Sequence, residues 1–286
     1  MKRKPKTRKT ESDSKLSRYV SFESFVHMVL KKQLAFVTYD MWQDPYEGFV
    51  IKAMQTPEGR TDILKWFENR KINNLPPEIC IQLLERFSKA VHLQSWTKSP
   101  ETDALWRIYS HNGNSIRIET TRKNVEKIDS LKIFEVSYSQ TNLERELGKI
   151  FSNNKILINN AFLWKREAFS HEYEVRLISN YDHEYSPVDQ LPKPDIKTMI
   201  EGMKVLLSKG EITQQQYNTG IENILKENTN KQCVKYISYA HIPDFIESVI
   251  VHPNASNWFV DTVKYFCENN EISFQGKSVL YTFNHR

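Results

Sequence analysis

The residues best suited to chemistry lie in one run, Trp164 to Ser179, which reads W-K-R-E-A-F-S-H-E-Y-E-V-R-L-I-S. Its second half alternates. Glu172, Glu174 and Arg176 fall on one side of a strand, and Tyr173, Val175 and Leu177 fall on the other. The apolar side can pack on a core. The charged side then holds two carboxylates at a same-face spacing of roughly 7 Å, twice the strand rise. Charges that close repel, so one carboxyl pKa should rise unless a cation compensates. Such a face suits a ligand or water. Two plainer arrangements fit the same letters: an edge strand that carries mixed charge against aggregation, or a continuing helix in which Glu172 pairs with Arg176 at i,i+4.

Other chemistries are poorly supplied. His27, His92, His111, His171, His183, His241, His252 and His285 are dispersed, with no H-x-x-x-H or H-E-x-x-H pair, so no metal is expected. There is no G-x-S-x-G elbow. Of the cysteines only Cys233 has cations at close spacing, Lys231 and Lys235. With 8 glycines and neither Gly-rich phosphate motif, a nucleotide must be held by side chains. What remains is carboxylate chemistry between aromatic walls. Tyr19, Trp42, Trp96, Trp106 and Tyr109 all sit at or beside turns and strand ends, and each is equally explained by core packing. A flat cationic ring such as nicotinamide stacks on aromatics. A diphosphate suits Arg18 or Arg107. A breaking N-glycosidic bond needs a carboxylate near the ribose, because its transition state resembles an oxocarbenium cation.

The elements that must position these groups can be read in order. A basic tail, with Lys2, Arg3, Lys4, Lys6, Arg8 and Lys9, is expected to be disordered over residues 1–16, and structure to begin near Ser17. The tail suits phosphate contacts or simple solubilisation. Ser21 N-caps a helix with the stripe Phe22, Phe25, Val26, Val29 and Leu30. Leu34 to Val37 is a short strand, and Asp44-Pro45-Tyr46-Glu47 is a turn. Helices follow over Ile63 to Asn69 and Pro77 to Val91, then a strand His92 to Thr97 and a short helix Glu101 to Tyr109. His111 to Asn114 is a turn. Ser115 to Glu119 and Leu131 to Tyr138 are strands, and a long helical region is expected from Leu143 to about Ser170. Pro187, Pro192 and Pro194 mark a linker. Ile196 to Ser208 and Thr213 to Lys226 form a helical hairpin around Gly210, an insertion over 192–230 that is either plain surface or a docking site. The end reads as strands Val234 to Tyr239 and Phe245 to Val251, a helix Ser256 to Cys267, and a strand Ser278 to Phe283. Strands and helices mix without regular alternation. That predicts one α+β domain over 17–286 with a mixed or antiparallel sheet.

Cys80, Cys233 and Cys267 are scattered, which excludes a disulfide framework and suits a reducing cytoplasm. No apolar run reaches the ~18 residues of a membrane span, and no apolar segment follows the basic N-terminus as in a secretory signal. No membrane partner is expected.

Several stretches together resemble a bacterial family catalogued as a domain of unknown function. They are Arg18-Tyr19, Leu34-Ala35-Phe36 leading to Asp44-Pro45-Tyr46-Glu47, Gln94-Ser95-Trp96-Thr97, Leu105-Trp106-Arg107-Ile108-Tyr109, and Lys165 leading to Glu172 through Leu177. The family pattern is R-Y, N-D-P-F-E, a C-x-S-like strand, L-M-W-x-x-Y and W-x-x-E-x-E-x-R. The likeness spans about Ser17 to Asn180. Gln43 departs from the usual Asn, and His171 from the usual aromatic.

The same set is similar to the three-part signature of ADP-ribosyltransferases. That resemblance implies a split mixed or antiparallel sheet with flanking helices, and NAD as substrate without a metal. Arg18 would order the NAD pocket with Tyr19 beside it. Ser95, Trp96 and Thr97 would shape the nicotinamide site, with Trp96, Trp106 or Tyr109 as its wall. Glu174 would be the catalytic glutamate, and Glu172 would orient or activate the acceptor. The basic tail and a pI of about 8.9 lean toward a nucleic-acid acceptor, RNA above all. The chain also resembles the transferase toxin of a phage-defence toxin–antitoxin–chaperone module, which implies an antitoxin partner. Two other functions fit the residues. One is a NAD glycohydrolase with water as acceptor. The other is a non-enzymatic nucleic-acid-binding or sensor module in which the charged residues only pair with each other.

Overall fold

Ser21 ends the first strand and begins the first helix. Its backbone is extended and its side chain accepts from the Ser24 amide at 3.2 Å, as its position before an amphipathic run predicts. The computed structural model describes residues 14–42, 44–70, 77–110, 113–152, 155–179, 184–185, 203–220 and 233–282. Outside the described residues lie the basic cluster Lys2 to Lys9, Gln43, His111 and Asn112 of the expected turn, Pro187, Pro192 and Pro194, and the hairpin residues 192–202 and 221–230.

In chain order the elements are β1 (Lys15–Ser21), α1 (Phe22–Lys31), β2 (Gln33–Val37), α2 (Phe49–Ala53), α3 (Pro57–Arg70), α4 (Pro77–Ala90) and β3 (His92–Thr97). Then come α5 (Asp103–Tyr109), β4 (Ser115–Thr121), α6 (Arg122–Glu126), β5 (Leu131–Glu135), β6 (Ser137–Tyr138), α7 (Leu143–Ile150), β7 (Phe151–Ser152), β8 (Lys155–Leu157), β9 (Trp164–Lys165) and β10 (Glu174–Ser179). The remainder is β11 (Glu184–Tyr185), helical residues 203–208 (α8) and 214–220 (α9), β12 (Val234–Ser238), α10 (Ile242–Phe245), β13 (Ser248–Val251), α11 (Asn257–Asn269) and β14 (Phe274–Lys277).

The expected α+β class with a mixed sheet is what the chain forms. The main sheet runs β12-β2-β3-β1-β4-β13-β14, with β10 also on β3 and β5 on β10. Its ladders are antiparallel except β13–β14, which is parallel. One core gathers α1, α11 and one sheet face, including Phe25, Phe36, Trp96, Val175, Leu177 and Phe259. A second gathers α2 to α4 and α7 on the other side, including Phe67, Leu84, Leu93, Leu147, Phe162 and Ile178. Helices on both sides leave the sheet as the middle layer.

The sheet is split at β3. One edge of β3 pairs with β10 along its length, from Ser179↔His92 to Glu174↔Thr97. The other edge meets β2 at Val37↔Leu93 and β1 at Ser17↔Thr97. Between those two contacts β1 and β2 diverge, and the backbone of residues 94–96 has no ladder on that edge. A side chain spans the gap instead: the Gln94 amide donates to the Ala35 carbonyl at 2.9 Å and accepts from Trp96 Nε1 at 2.8 Å.

Three expected boundaries differ. β1 begins at Lys15, two residues before the predicted start, because Lys15 and Leu16 already pair with Thr121 and Thr120. The long helix predicted over 143–170 is instead α7, a β7–β8 hairpin, a 3-10 turn Ile158–Phe162, β9 and a second 3-10 turn Glu167–Glu172. Ile150, Phe151, Ile156, Ile158 and Phe162 are all buried, and one helix face could not bury so many branched and aromatic residues together. The last strand is Phe274–Lys277 rather than Ser278 to Phe283. Ser278 still donates to the Val251 carbonyl at 2.9 Å, but β13 ends there. Val279 to Tyr281 therefore have no ladder to join and stay exposed. Within the predicted hairpin, α8 and α9 turn at Gly210, whose φ is +71°.

Replacing Gln94 with Leu should cost about 1–3 kcal/mol, because it leaves the buried Trp96 indole N–H without its partner and frees the Ala35 carbonyl on the cavity wall. Chemical denaturation checks this, and an unchanged midpoint would show that the amide does not brace the split.

Candidate functional site

At the split lies a cavity of about 250 Å³, lined by Ser17, Arg18 and Tyr19 of β1, by Ala35 and Val37 of β2, and by Leu93 to Thr97 of β3. Trp42, Leu105, Tyr109, Glu172 and Glu174 complete its wall. Residues read far apart in sequence thus converge because β3 is gripped at both ends and left open in the middle.

The two glutamates do not come from one regular strand. The expected strand over 172–177 starts only at Glu174; Glu172 is the last residue of the 3-10 turn, and Tyr173 between them is left-handed, with φ 42° and ψ 46°. Tyr173 is therefore 59% exposed rather than packed on the apolar side with Val175 and Leu177. Thr97 explains how Glu172 still reaches the cavity. Its hydroxyl donates to the Glu172 carbonyl and accepts from the Ser99 amide at 2.8 Å, so β3 pins the turn.

Both carboxylates are buried and share one cation. Lys165 Nζ lies 2.7 Å from Glu172 Oε2, 2.8 Å from Glu174 Oε2 and 2.8 Å from Glu47 Oε1. Arg176, fully buried, donates from Nε to Glu174 Oε1 at 2.8 Å and from Nη2 to Glu47 Oε1 at 2.9 Å. Its Nη1 donates to the Phe162 carbonyl, and its Cζ lies over the Trp42 ring, 4.3 Å from the centroid. Three carboxylates against two cations leave one negative charge in excess. Burial by itself would raise the Glu174 pKa, but Arg176 and Lys165 outweigh it and hold the carboxyl down at about 2. Burial would likewise lower Lys165, yet Glu174, Glu47 and Glu172 hold its ammonium above the usual range. Tyr138 Oη accepts from the Glu174 amide at 2.8 Å, and burial pushes its phenol up to about 12.

The opposite wall is electrically different. Arg18 has no ion pair among the described residues, and burial lowers its pKa to about 10, which leaves it charged at neutral pH. Tyr109, 44% exposed, stacks with Tyr19 at 6.3 Å. Burial and then the Glu172 charge raise its phenol, so it remains a hydrogen-bond donor. The cavity thus has a negative end at Glu172 and Glu174 and a positive end at Arg18.

Of the residues singled out from the sequence, Arg18, Tyr19, Ser95, Trp96, Thr97, Tyr109, Glu172 and Glu174 line this cavity together. Trp96 is mostly core: it packs at 5.9 Å from Phe245 and gives its indole N–H to Gln94. Trp106 is fully buried, edge-on to Tyr19 at 4.7 Å, and supports the wall from behind rather than forming it. Arg107 points outward and pairs with Asp103 at 2.7 Å. Sequence reading did not assign the parts of Glu47 and Lys165. Both stand in motifs quoted above, but only the fold shows that the Asp44–Glu47 turn and β9 meet at β10. Among the described residues no cluster of His, Cys, Asp and Glu suited to a metal ion occurs, and no helix is long and apolar enough to cross a membrane.

Known protein-family models, curated proteins and solved structures yield no match to this chain.

Because its folded pKa lies below the ordinary carboxylate value, Glu174 contributes stability that is present above about pH 4.5 and lost as pH falls toward about 2. The loss should be of the order of 3 kcal/mol. Thermal melts of wild type and Glu174→Gln across that window check it: the variant should have the shallower acid dependence, and parallel curves would contradict the shift.

Proposed function

We propose that this chain is an NAD-dependent ADP-ribosyltransferase acting on nucleic acid, RNA in the first instance. The observation that carries the reading is the cavity lined by Glu172 and Glu174 on one wall and, on another, by Arg18, which has no ion pair among the described residues. NAD has the complementary polarity. Its nicotinamide ring is cationic, that positive charge passes to the ribose as the glycosidic bond stretches, and its diphosphate is anionic. One excess negative charge among buried groups favours an oxocarbenium centre. A guanidinium lacking a carboxylate partner favours a phosphate.

In this mechanism Arg18 binds the diphosphate, and Tyr109 walls the nicotinamide beside Ser95, with Trp96 supporting β3 from the core side. Glu174 accepts a hydrogen bond from the nicotinamide ribose and stabilises its developing charge. The bond between ribose C1′ and the nicotinamide nitrogen breaks, its electron pair passes to the ring nitrogen, and neutral nicotinamide leaves. A nucleophilic atom of the acceptor bonds to C1′, and its proton passes by way of Glu172 to water. Lys165 holds both carboxylates in place and, with Arg176, keeps Glu174 ionised, which lowers the reorganisation needed in the transition state. The further reading of the chain as a phage-defence toxin with an antitoxin partner rests on the motif resemblance.

A second reading has its own observation. Glu172 and Glu174 are already satisfied by Lys165 and Arg176, as in a structural network within a nucleic-acid-binding or sensor module. The two part on NAD turnover.

Labelled NAD incubated with purified protein and separate RNA, DNA and protein pools should label the RNA pool. Glu174→Gln should cut that rate by about 10²–10³-fold, with circular dichroism unchanged. Arg18→Ala should raise the KM for NAD at least about tenfold, with Arg18→Lys intermediate. Free ADP-ribose with no labelled pool would make the chain a glycohydrolase, and unconsumed NAD with retained salt-sensitive RNA binding would favour the binding module.

A further inference from the structure

Tyr173 is the residue the transferase chemistry leaves unused, and it stands between the two carboxylates. Its conformation is one that bulky side chains rarely adopt, since a Cβ crowds the backbone at positive φ. The other non-glycine residues with positive φ, Lys32 and Glu271, carry long flexible charged chains beside helix ends. Tyr173 instead puts an aromatic ring there. Both sides of its backbone are tied, its amide donating to the Ser170 carbonyl at 3.2 Å and its carbonyl accepting from the Lys98 amide at 3.0 Å. Bringing the ring indoors would break both bonds.

The consequence is an aromatic held outside on purpose-built backbone. With regular strand geometry Tyr173 would share the buried face of Val175 and Leu177; the left-handed turn expels it while Glu172 and Glu174 stay inside. The ring is 59% exposed and has no ring, cation or side-chain hydrogen-bond partner among the described residues. Other exposed aromatics near the site are occupied. Tyr46 carries the Arg166 guanidinium at 4.3 Å, and Tyr109 stacks on Tyr19.

We propose that Tyr173 is the stacking platform for a nucleobase of the acceptor, setting which ring is delivered to Glu172. The inference rests on the transferase reading and names how its acceptor is recognised. A free aromatic face accepts any base by stacking, and its neighbours in sequence, Glu172 and Glu174, are the groups at which the acceptor must react. A nucleic-acid strand rather than a peptide is favoured by the formal net charge of +5. Glu172 then selects the nucleophilic atom, and Tyr173 the plane in which it approaches.

The test separates the ring from the backbone. Asn tolerates the left-handed conformation without a ring, whereas Trp and Phe keep a ring at the same position. Full-length wild type, Tyr173→Asn, Tyr173→Trp and Tyr173→Phe are compared for transfer from NAD to a short mixed-sequence single-stranded RNA, and for direct binding of that RNA by fluorescence anisotropy. Tyr173→Asn should raise both the KM for RNA and the Kd at least about tenfold, and the two aromatic variants should stay within about twofold of wild type. Unchanged RNA parameters in Tyr173→Asn, or equal losses in all three variants, would overturn the platform while leaving the transferase reading intact. Label reaching only protein would overturn the nucleobase assignment. A wild-type chain that neither labels nor binds RNA would instead sink the acceptor reading on which the inference stands.

Discussion

One ammonium group organises the site. Lys165 Nζ touches carboxylate oxygens of Glu47, Glu172 and Glu174, each within 2.8 Å. Without it, three buried carboxylates would face a single guanidinium, and at least one would have to take up a proton or leave the interior. The contacts draw four separate elements to one point: the turn after β2, the strand β9, the 3-10 turn before β10, and β10 itself. Arg176 then locks Glu47 to Glu174 from beneath. Burying such a network costs desolvation that hydrophobic residues would not incur. Its place on a cavity wall is intelligible if carboxylates held in fixed positions are what the site requires.

The second constraint is the incomplete pairing of β3. A continuous sheet would have no hole; two strands that touch one edge at its two ends create one. Gln94 keeps β2 attached across that hole, and Ser95 and Thr97 face it from the same side as Glu174 and Arg176. Trp106 and Leu105 support Tyr19 from α5, so the β1 side of the opening is stiff as well. Charge on one wall and sheet geometry on the other therefore define a cavity that is polar in opposite senses.

Much of this was legible in the residues. The alternation read over Glu172 to Leu177 holds from Glu174 onward, and the His92–Thr97 strand forms over the residues its pattern marks. Ser21 caps α1 and Asp44 turns the chain because short polar side chains bond nearby amides, a signal that depends on few neighbours. What depended on tertiary partners was not legible. Residues 143–170 read as helix, yet their branched and aromatic side chains serve a core on several sides. Val279 to Tyr281 read as strand, but β13 ends before they could pair. Tyr173 read as core, and only the pinning of its carbonyl to Lys98 shows why it is not. The roles of Glu47 and Lys165 belong to the same class: their letters were visible within the motifs, but a contact between residues 118 positions apart has no local period.

A crystal structure of the protein with ADP-ribose bound measures the central claim most directly. The anomeric ribose is expected against the Glu174 carboxylate and the diphosphate against Arg18, with the Lys165 contacts unbroken. ADP-ribose bound elsewhere, with the cavity at the split empty, would contradict it.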